Sequence, residues 1–450
     1  MSTTAIAVFT RDLRVHDNPV LAAAARADHV LPLFVHDEAV SATGFAEGPR
    51  RRFLDDCLAD LDARLRERGA ALLRRDGDAV AEVARLAHEV GATSVHIAAD
   101  ASAFAARRQR RLAEALASQR CELTVHEAVH TVLPAGEVTP QGKDHFAVFT
   151  PYHRRWASTG RRSTAKAPRR LRLPPQVDAP AAPAPARTAA PMPGGETEAR
   201  DRAHRWLDED ADRYHSRHDD LAAERGTSRL SAYLHFGCLS ALELASEADA
   251  RRTEGADAFV RQLAWRDFHF QVLAARPASA QADYRPRADA WRDDPQALQA
   301  WQEGQTGIPI VDAGMRQLSS EGWMHNRARL ITGSFLAKTL YLDWRAGAEH
   351  FQRHLVDGDI ANNQMNWQWV AGTGTDTRPN RVLNPVRQAE RYDSSGDYVR
   401  RWVPELADLD NPRDLHQPWR LGTDALGKLG YPAPIVDLEA ARERFQQHRG

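Results

Sequence analysis

Residues 357–376 read DGDIANNQMNWQWVAGTGTD, and the architecture of the second half of the chain is read outward from them. Two indoles, Trp367 and Trp369, stand one residue apart, with acids and amides before them and small hydroxyl residues after. The stretch shows little of the apolar periodicity of a core strand or helix. Buried polar groups must find partners, so a Trp-bearing segment this rich in amides is expected to line a cavity for a large, planar, polar ligand. A buried loop with satisfied amides is the plainer alternative.

A chain of 450 residues, 42% of them hydrophobic, has material for two or three domains with sizeable cores. No apolar run approaches the roughly 18–20 residues of a membrane span, and the N-terminus enters a short strand rather than a signal peptide. Cys57, Cys121 and Cys238 are widely spaced without a CxxC pattern. Neither a disulfide framework nor a zinc site is supported, and a reducing cytoplasm is expected. The net charge of −1 does not announce a nucleic-acid binder, but its distribution is uneven. Arg154, Arg155, Arg161, Arg162, Lys166, Arg169, Arg170 and Arg172 occur in residues 151–175 without an acid; a solvated basic linker explains them at least as well as a DNA patch. Arg378, Arg381, Arg387 and Arg391, beside the Trp segment, are the better candidates for phosphate. Ten of the eleven Trp lie at 206 or beyond, which puts the aromatic chemistry in the second half.

Short β-rich runs at 6–10, 30–35, 72–74, 95–98 and 123–126 alternate with helical patterns at 49–68, 79–90 and 103–117. Such alternation predicts a parallel sheet with helices on both faces. No GxGxxG follows the first strand, so the dinucleotide fingerprint is absent. Residues 158–195 are rich in Pro, Ala and Arg, including AAPAPAR at 181–187, and read as an extended linker. Beyond 196 the pattern is helical, at 199–213, 241–252, 256–275, 310–320 and 323–341. The expected organisation is an α/β domain at 1–130, a linker at 131–195 and an all-helical domain at 196–450.

GTSRLS at 226–231 places three hydroxyls and several backbone N–H groups before a helical stretch. A helix N-terminus with small residues suits a phosphate; an ordinary cap with Thr or Ser at the N-cap is the simpler reading. The motif has company: FTRDLRVHDNP at 9–19, WRDF at 265–268, IVDAGMRQL at 310–318, GWMHNR at 322–327 and WVPEL at 402–406. Together, in this order and over nearly the whole chain, they resemble the DNA photolyase/cryptochrome family, most closely its bacterial class I members that split cyclobutane pyrimidine dimers.

The resemblance implies a Rossmann-like antenna domain followed by a helical FAD-binding domain, the photolyase fold. It implies an FAD site formed by Tyr214, Thr227, Ser228, Arg229, Leu230, Ser231, Arg329, Asp357, Gly358, Asp359 and Asn363. Asp357 is the implied partner of Arg329, and Asn363 the implied amide facing the flavin N5. Trp291, Trp344 and Trp367 match the family's photoreduction chain, whose readily oxidised indoles refill the flavin with electrons. The substrate side is implied to be Gln262, Trp265, Asn326, Arg327, Leu330, Trp369, Arg381 and Gln388, with Trp265 and Trp369 flanking a flipped-out lesion. Arg327 would meet a phosphate and Asn326 a base edge.

Two positions depart from the dimer-repairing pattern, which usually has Glu where this chain has Gln262 and Met where it has Leu330. Gln262 looks more like (6-4) photolyases and animal cryptochromes. Those (6-4) enzymes usually carry paired His in the GWMHNR region, whereas here His325 is followed by Asn326. The missing acid weighs more. The expectation is therefore light-driven repair of cyclobutane pyrimidine dimers in damaged DNA by a cytoplasmic, monomeric lyase, with a (6-4) photolyase or a cryptochrome photoreceptor as alternatives. Asp100 to Phe104, with Arg107 and Arg108, resembles the loop of relatives that hold an 8-hydroxy-5-deazaflavin antenna; methenyltetrahydrofolate is the other candidate.

Overall fold

A computed structural model of the chain describes residues 2–43, 48–182 and 192–448. It divides into two compact units, residues 1–212 with 228–277, and residues 213–227 with 278–450.

The first unit is built on five parallel strands: β1 (Thr4–Phe9), β2 (His29–Asp37), β3 (Leu73–Gly77), β4 (Ser94–Ala98) and β5 (Glu122–His126). Their order is β3-β2-β1-β4-β5, all parallel. Every residue of β1, TAIAVF, is buried, as a central parallel strand covered on both faces requires. Ile6, Val8, Leu31, Leu33, Val95 and Ile97 share a core with Val83, Leu86, Leu112 and Leu116. Those last four lie on α2 (Ala79–Glu89) and α3 (Ala103–Ala117), which follow α1 (Gly48–Arg66) in the chain. Asp78 and Ser102 cap α2 and α3 through side chains that accept from Ala81 N and Ala105 N, and these polar caps explain why the two starts were legible.

Residues 131–195 are not featureless. Phe149–Ser158 forms α4, with Phe149, Tyr152 and Trp156 buried; the surrounding Pro/Arg-rich composition masks this one apolar face. The Pro/Ala run at 183–187 falls outside the described residues. α5 (Glu196–Glu209), α6 (Ser231–Phe236), α7 (Ala241–Asp249) and α8 (Glu254–Ala275) complete the unit. α6 ends at Gly237, φ +68°, where an added Cβ would lie 1.9 Å from the Arg11 carbonyl oxygen. Both the left-handed backbone and the close approach require glycine there. Cys57 and Cys238 are buried thiol against thiol, 3.3 Å apart.

The second unit is helical: α9 (Pro295–Gln302), α10 (Pro309–Glu321), α11 (Asn326–Ser334), α12 (Trp344–His354), α13 (Ile360–Ala371) and α14 (Pro385–Tyr392). Residues 323–325 are not helical, although the pattern predicts a helix from 323: His325 is the N-cap of α11, its Nδ1 accepting from Arg327 N. The same predicted helix widens into a π-turn at Phe335–Leu340. There Lys338 is buried, and its Nζ donates to the carbonyls of Pro379 and Arg381, both at 2.8 Å.

The Trp segment corrects the expectation drawn from its pattern. Residues 360–371 form α13, capped by Asp359 and closed by Gly372 at φ +82°. The helix is buried on several sides, and its two buried amides, Asn363 and Gln368, bond to the backbone of other segments. Gln368 accepts from Tyr284 N and donates to the Ser279 carbonyl, both at 2.7 Å, and Asn363 donates to the Ala348 carbonyl at 2.9 Å. Polar side chains with partners can occupy core positions, so the hydrophobic period disappears although the helix is real.

Candidate functional site

α11, α12, α13 and the turn between the last two line a cleft that is open to solvent. It is lined by Asn326, Arg329, Leu330, Asp357, Gly358, Asp359, Asn363 and Trp367, together with Gly333, Phe351, Leu355, Asn362, Asn366 and Val370. The local sequence explains how the polar groups are held. Leu355 and Val356 anchor the turn in the core, so the DGD sequence that follows is presented at the cleft wall. Arg329 Nη2 donates to Asp357 Oδ2 at 2.8 Å and its Nε to the Met324 carbonyl at 2.8 Å. This is the pairing the resemblance implied. Asp359 accepts at Oδ1 from both the backbone N–H and the Nδ2 of Asn362, at 2.9 and 2.8 Å. With one donor of Asn363 fixed on Ala348, its carbonyl oxygen is the group left to accept from a ligand. The cleft thus offers an apolar wall and edge groups able to bind a flat, polar heterocycle.

Asn362 and Asn366 were not singled out from the sequence. Their spacing from Asp359 and from each other, three and four residues along one helix face, was the available signal.

The family profile described as "FAD binding domain of DNA photolyase" matches residues 259–449, and that described as "DNA photolyase" matches residues 5–174. The chain belongs to the DNA photolyase family. A deoxyribodipyrimidine photo-lyase of Streptomyces griseus is 56% identical over 465 residues, covering 100% of this chain and 99% of the relative. Among solved structures, a bacterial class III photolyase from Agrobacterium tumefaciens is similar with a TM-score of 0.91 and 32% identity, over 100% of this chain and 97% of that one. An archaeal photolyase from Sulfolobus tokodaii, solved with two FAD molecules, is similar with a TM-score of 0.85 and 28% identity, over 99% of each chain.

Trp291, Trp344 and Trp367, the indoles expected to form a photoreduction chain, all fall in the second unit. Trp367 lines the cleft, Trp344 is fully buried with Nε1 donating to Asp283 Oδ1 at 2.9 Å, and Trp291 is half-buried against Tyr341 at 5.1 Å. α12 and α13, which carry Trp344 and Trp367, touch so closely that a Cβ on Gly347 would meet the Trp367 ring at 2.3 Å. A fourth indole, Trp301, is also fully buried, 6.0 Å from Trp367 and bonded through Nε1 to the Thr332 carbonyl. It was not singled out from the sequence, where one Trp in an amphipathic helix is unremarked core.

On the substrate side, Asn326 opens α11 exposed to solvent, with Arg327 next and Leu330 one turn on. Trp369 is half-buried beneath the Arg381 guanidinium, 5.2 Å away, and Gln388 is half-buried on α14. In the first unit, Gln262 is exposed on α8 and Trp265 is half-buried one turn along. One face of Trp265 is covered by Phe149, stacked at 3.6 Å and 7°; only the opposite face is available to a ligand. Tyr214 begins a single helical turn, Tyr214–Arg217. Thr227 to Ser231 lead into α6 without the hydroxyl cap of the simpler reading: Leu230 is its N-cap, with no side-chain bond. Arg229 is held at φ +52°, a costly conformation for a non-glycine residue. His325 is buried, and burial lowers its pKa to about 4. It is neutral at physiological pH, which makes it a poor proton donor.

At the other end of the chain, Arg11 follows β1 and Asp100 follows β4, the neighbours at which the strand order reverses. They pair at 2.8 Å. Ligands of doubly wound sheets bind at this switch point. Arg108 lies over the Phe104 ring at 5.7 Å, and its buried Nε has no hydrogen-bond partner among the described residues. Of the basic run, Arg162 is spent on Asp17, with Nη2 to Oδ2 at 2.9 Å, and Arg161 on Asp249 at 2.5 Å.

Proposed function

We propose that this protein is a light-driven, FAD-dependent deoxyribodipyrimidine photo-lyase that splits cyclobutane pyrimidine dimers in DNA. The observation that carries the reading is the cleft that gathers the Arg329–Asp357 pair, Asp359, Asn363 and Trp367 from α11, α13 and the turn that precedes α13. FAD, when bound, supplies the excited-state electron that opens the cyclobutane ring and takes it back afterwards. Asp359 and Asn363 would hold the heterocycle by its edges, and the Arg329–Asp357 pair would fix the cleft wall. Thr227, Ser228, Arg229, Leu230 and Ser231, with Tyr214, would hold the remainder of the cofactor. Trp367, Trp344 and Trp291 would pass electrons inward from the surface, a role that indoles of graded burial suit.

Gln262, Trp265, Asn326, Leu330 and Trp369 would receive a lesion extruded from the duplex, as photolyases in general do, while Arg327, Arg381 and Gln388 would bind its backbone. A neutral His325 followed by Asn326 supports dimer repair over (6-4) repair, because no side chain of that motif can act as an acid. The orphan Nε–H of Arg108 and the Arg11–Asp100 pair at the switch point support an antenna chromophore, with 8-hydroxy-5-deazaflavin favoured over methenyltetrahydrofolate. The protein would act as a monomer in the cytoplasm; no helix among the described residues is long and apolar enough to cross a membrane.

The test is an absorption spectrum of the purified protein followed by light-dependent repair assays on the two lesions separately. The expected result is bound flavin and repair confined to cyclobutane dimers. Repair of (6-4) products alone, or of neither lesion, would overturn the assignment.

A further inference from the structure

Arg327, the second residue of α11, carries a cation that the proposed function sets against the DNA backbone. Its guanidinium is already engaged. Nε and Nη2 donate to Asp219 Oδ1 at 3.2 and 2.7 Å, and Nη2 also to Oδ2 at 2.7 Å. The guanidinium carbon lies 4.3 Å from the centre of the Tyr392 ring, so an acid holds one edge while an aromatic ring holds one face. The side chains are 19% and 32% exposed, and Asp219, Arg327 and Tyr392 all belong to the second unit. Exposed ion pairs usually fix little; two-point Arg–carboxylate geometry on an aromatic floor is the arrangement that does fix orientation.

We propose that Asp219 is a positioning and specificity-determining residue for DNA binding, a role that rests on the reading of this face as the DNA site. A free arginine would reward any phosphate that came near it. Held by Asp219 and Tyr392, Arg327 presents only the Nη1 edge outside the pair, and its charge is offset by a carboxylate. A phosphate gains from the contact only when it arrives at that edge, and every other approach meets the acid. Undamaged duplex therefore loses affinity that a lesion-bearing strand seated in one register keeps, which is discrimination by repulsion as well as by attraction.

The experiment measures binding of the FAD-loaded protein to matched duplexes with and without a single dimer, across a range of salt. Asp219→Asn should bind undamaged duplex several-fold more tightly. Its log–log salt dependence should steepen by up to about 0.9, the slope for one additional phosphate contact, and its preference for damaged DNA should fall. Asp219→Glu, which keeps the charge, should stay near wild type, and adding Arg327→Gln to Asp219→Asn should erase the gain. Unchanged flavin content reports that the variants are folded. The proposal fails if Asp219→Asn leaves the undamaged-DNA slope unchanged or makes it shallower while Arg327→Gln alone reduces it. If Arg327→Gln itself leaves affinity and slope at wild-type values, the face is not the DNA site and the role of Asp219 falls with it, an outcome distinguishable from the first.

Discussion

Gly347→Ala should disturb the photoreduction path without removing any of its indoles. An alanine Cβ at 347 would sit 2.3 Å from Trp367 Cη2, 2.7 Å from its Cζ3 and 2.5 Å from Leu336 Cδ2. Ordinary contact begins at 3.4 Å, so the ring or the α12 backbone must yield by about 1.1 Å. Trp367 is a rigid ring packed against Phe351 at 4.9 Å and Trp301 at 6.0 Å, so it has no flexible end to swing aside. Overpacking of this kind costs about 1–3 kcal/mol. A contact as short as 2.3 Å puts the clash in the upper part of that range, about 2–3 kcal/mol; removing a helical glycine returns roughly 0.5–1 kcal/mol, so a net loss of about 1–2.5 kcal/mol is expected. Gly427→Ala is the matched control: it is exposed on the helix Thr423–Leu429 with no atom within 4 Å of the added Cβ, so it should be neutral or stabilising by up to about 1 kcal/mol. Urea unfolding gives the stability of both variants, and the rate of light-driven reduction of bound FAD reports on the displaced indole. If Gly347→Ala is as stable as wild type and reduces at the wild-type rate, the close packing of α12 on α13 is wrong.

Trp367→Phe should abolish photoreduction of oxidised flavin while enzyme reduced chemically beforehand still repairs dimers, which separates the indole path from the lesion chemistry. Gln262→Glu should leave dimer repair active, with changes confined to quantum yield and lesion affinity measured side by side with wild type; loss of dimer repair would mean that a neutral amide is required there. Burial lowers the His325 pKa from 6.5 to about 4, so its neutral form stabilises the fold above pH 6.5 and that contribution is lost as pH falls through 4. At about 1.4 kcal/mol per pH unit, wild type should lose up to about 3 kcal/mol more than His325→Gln between pH 6.5 and 4, and parallel stability curves would count against a buried neutral imidazole.

Alternation of strands and helices was enough to read the five-stranded sheet and the helices between its strands, because there each local signal agreed with the packing. β1 is apolar from Ala5 to Phe9, as a doubly covered strand tends to be, and α2 and α3 begin at side-chain caps visible as Asp78 and Ser102. α13 was hidden for the opposite reason: Asn363 and Gln368 occupy core positions by bonding to backbone of neighbouring segments, and hydropathy does not see those partners. The cap and stop of that helix, Asp359 and Gly372, were nonetheless present in the quoted stretch. α4 is short and runs directly into a Pro- and Arg-rich segment that reads as linker, and with it went Phe149, which closes one face of Trp265. The Arg329–Asp357 pair was accessible only through the family resemblance, since 28 residues separate its members. Asp219 had no such signal: an acid in a polar segment looks like surface until its guanidinium partner is placed beside it.

Lys338 grips its loop in a way that ignores what the loop is made of. The ammonium holds the carbonyl oxygens of residues 379 and 381, and a carbonyl is the same whichever side chain hangs from its residue. The path of this loop is thereby separated from the identity of its outward groups. Exchange of the Arg381 side chain is therefore expected to leave the backbone at 379 and 381 docked on the buried Lys338 amine. On the proposed reading of this edge as part of the DNA face, a change of preference there would need new side chains and no redesign of the core beneath.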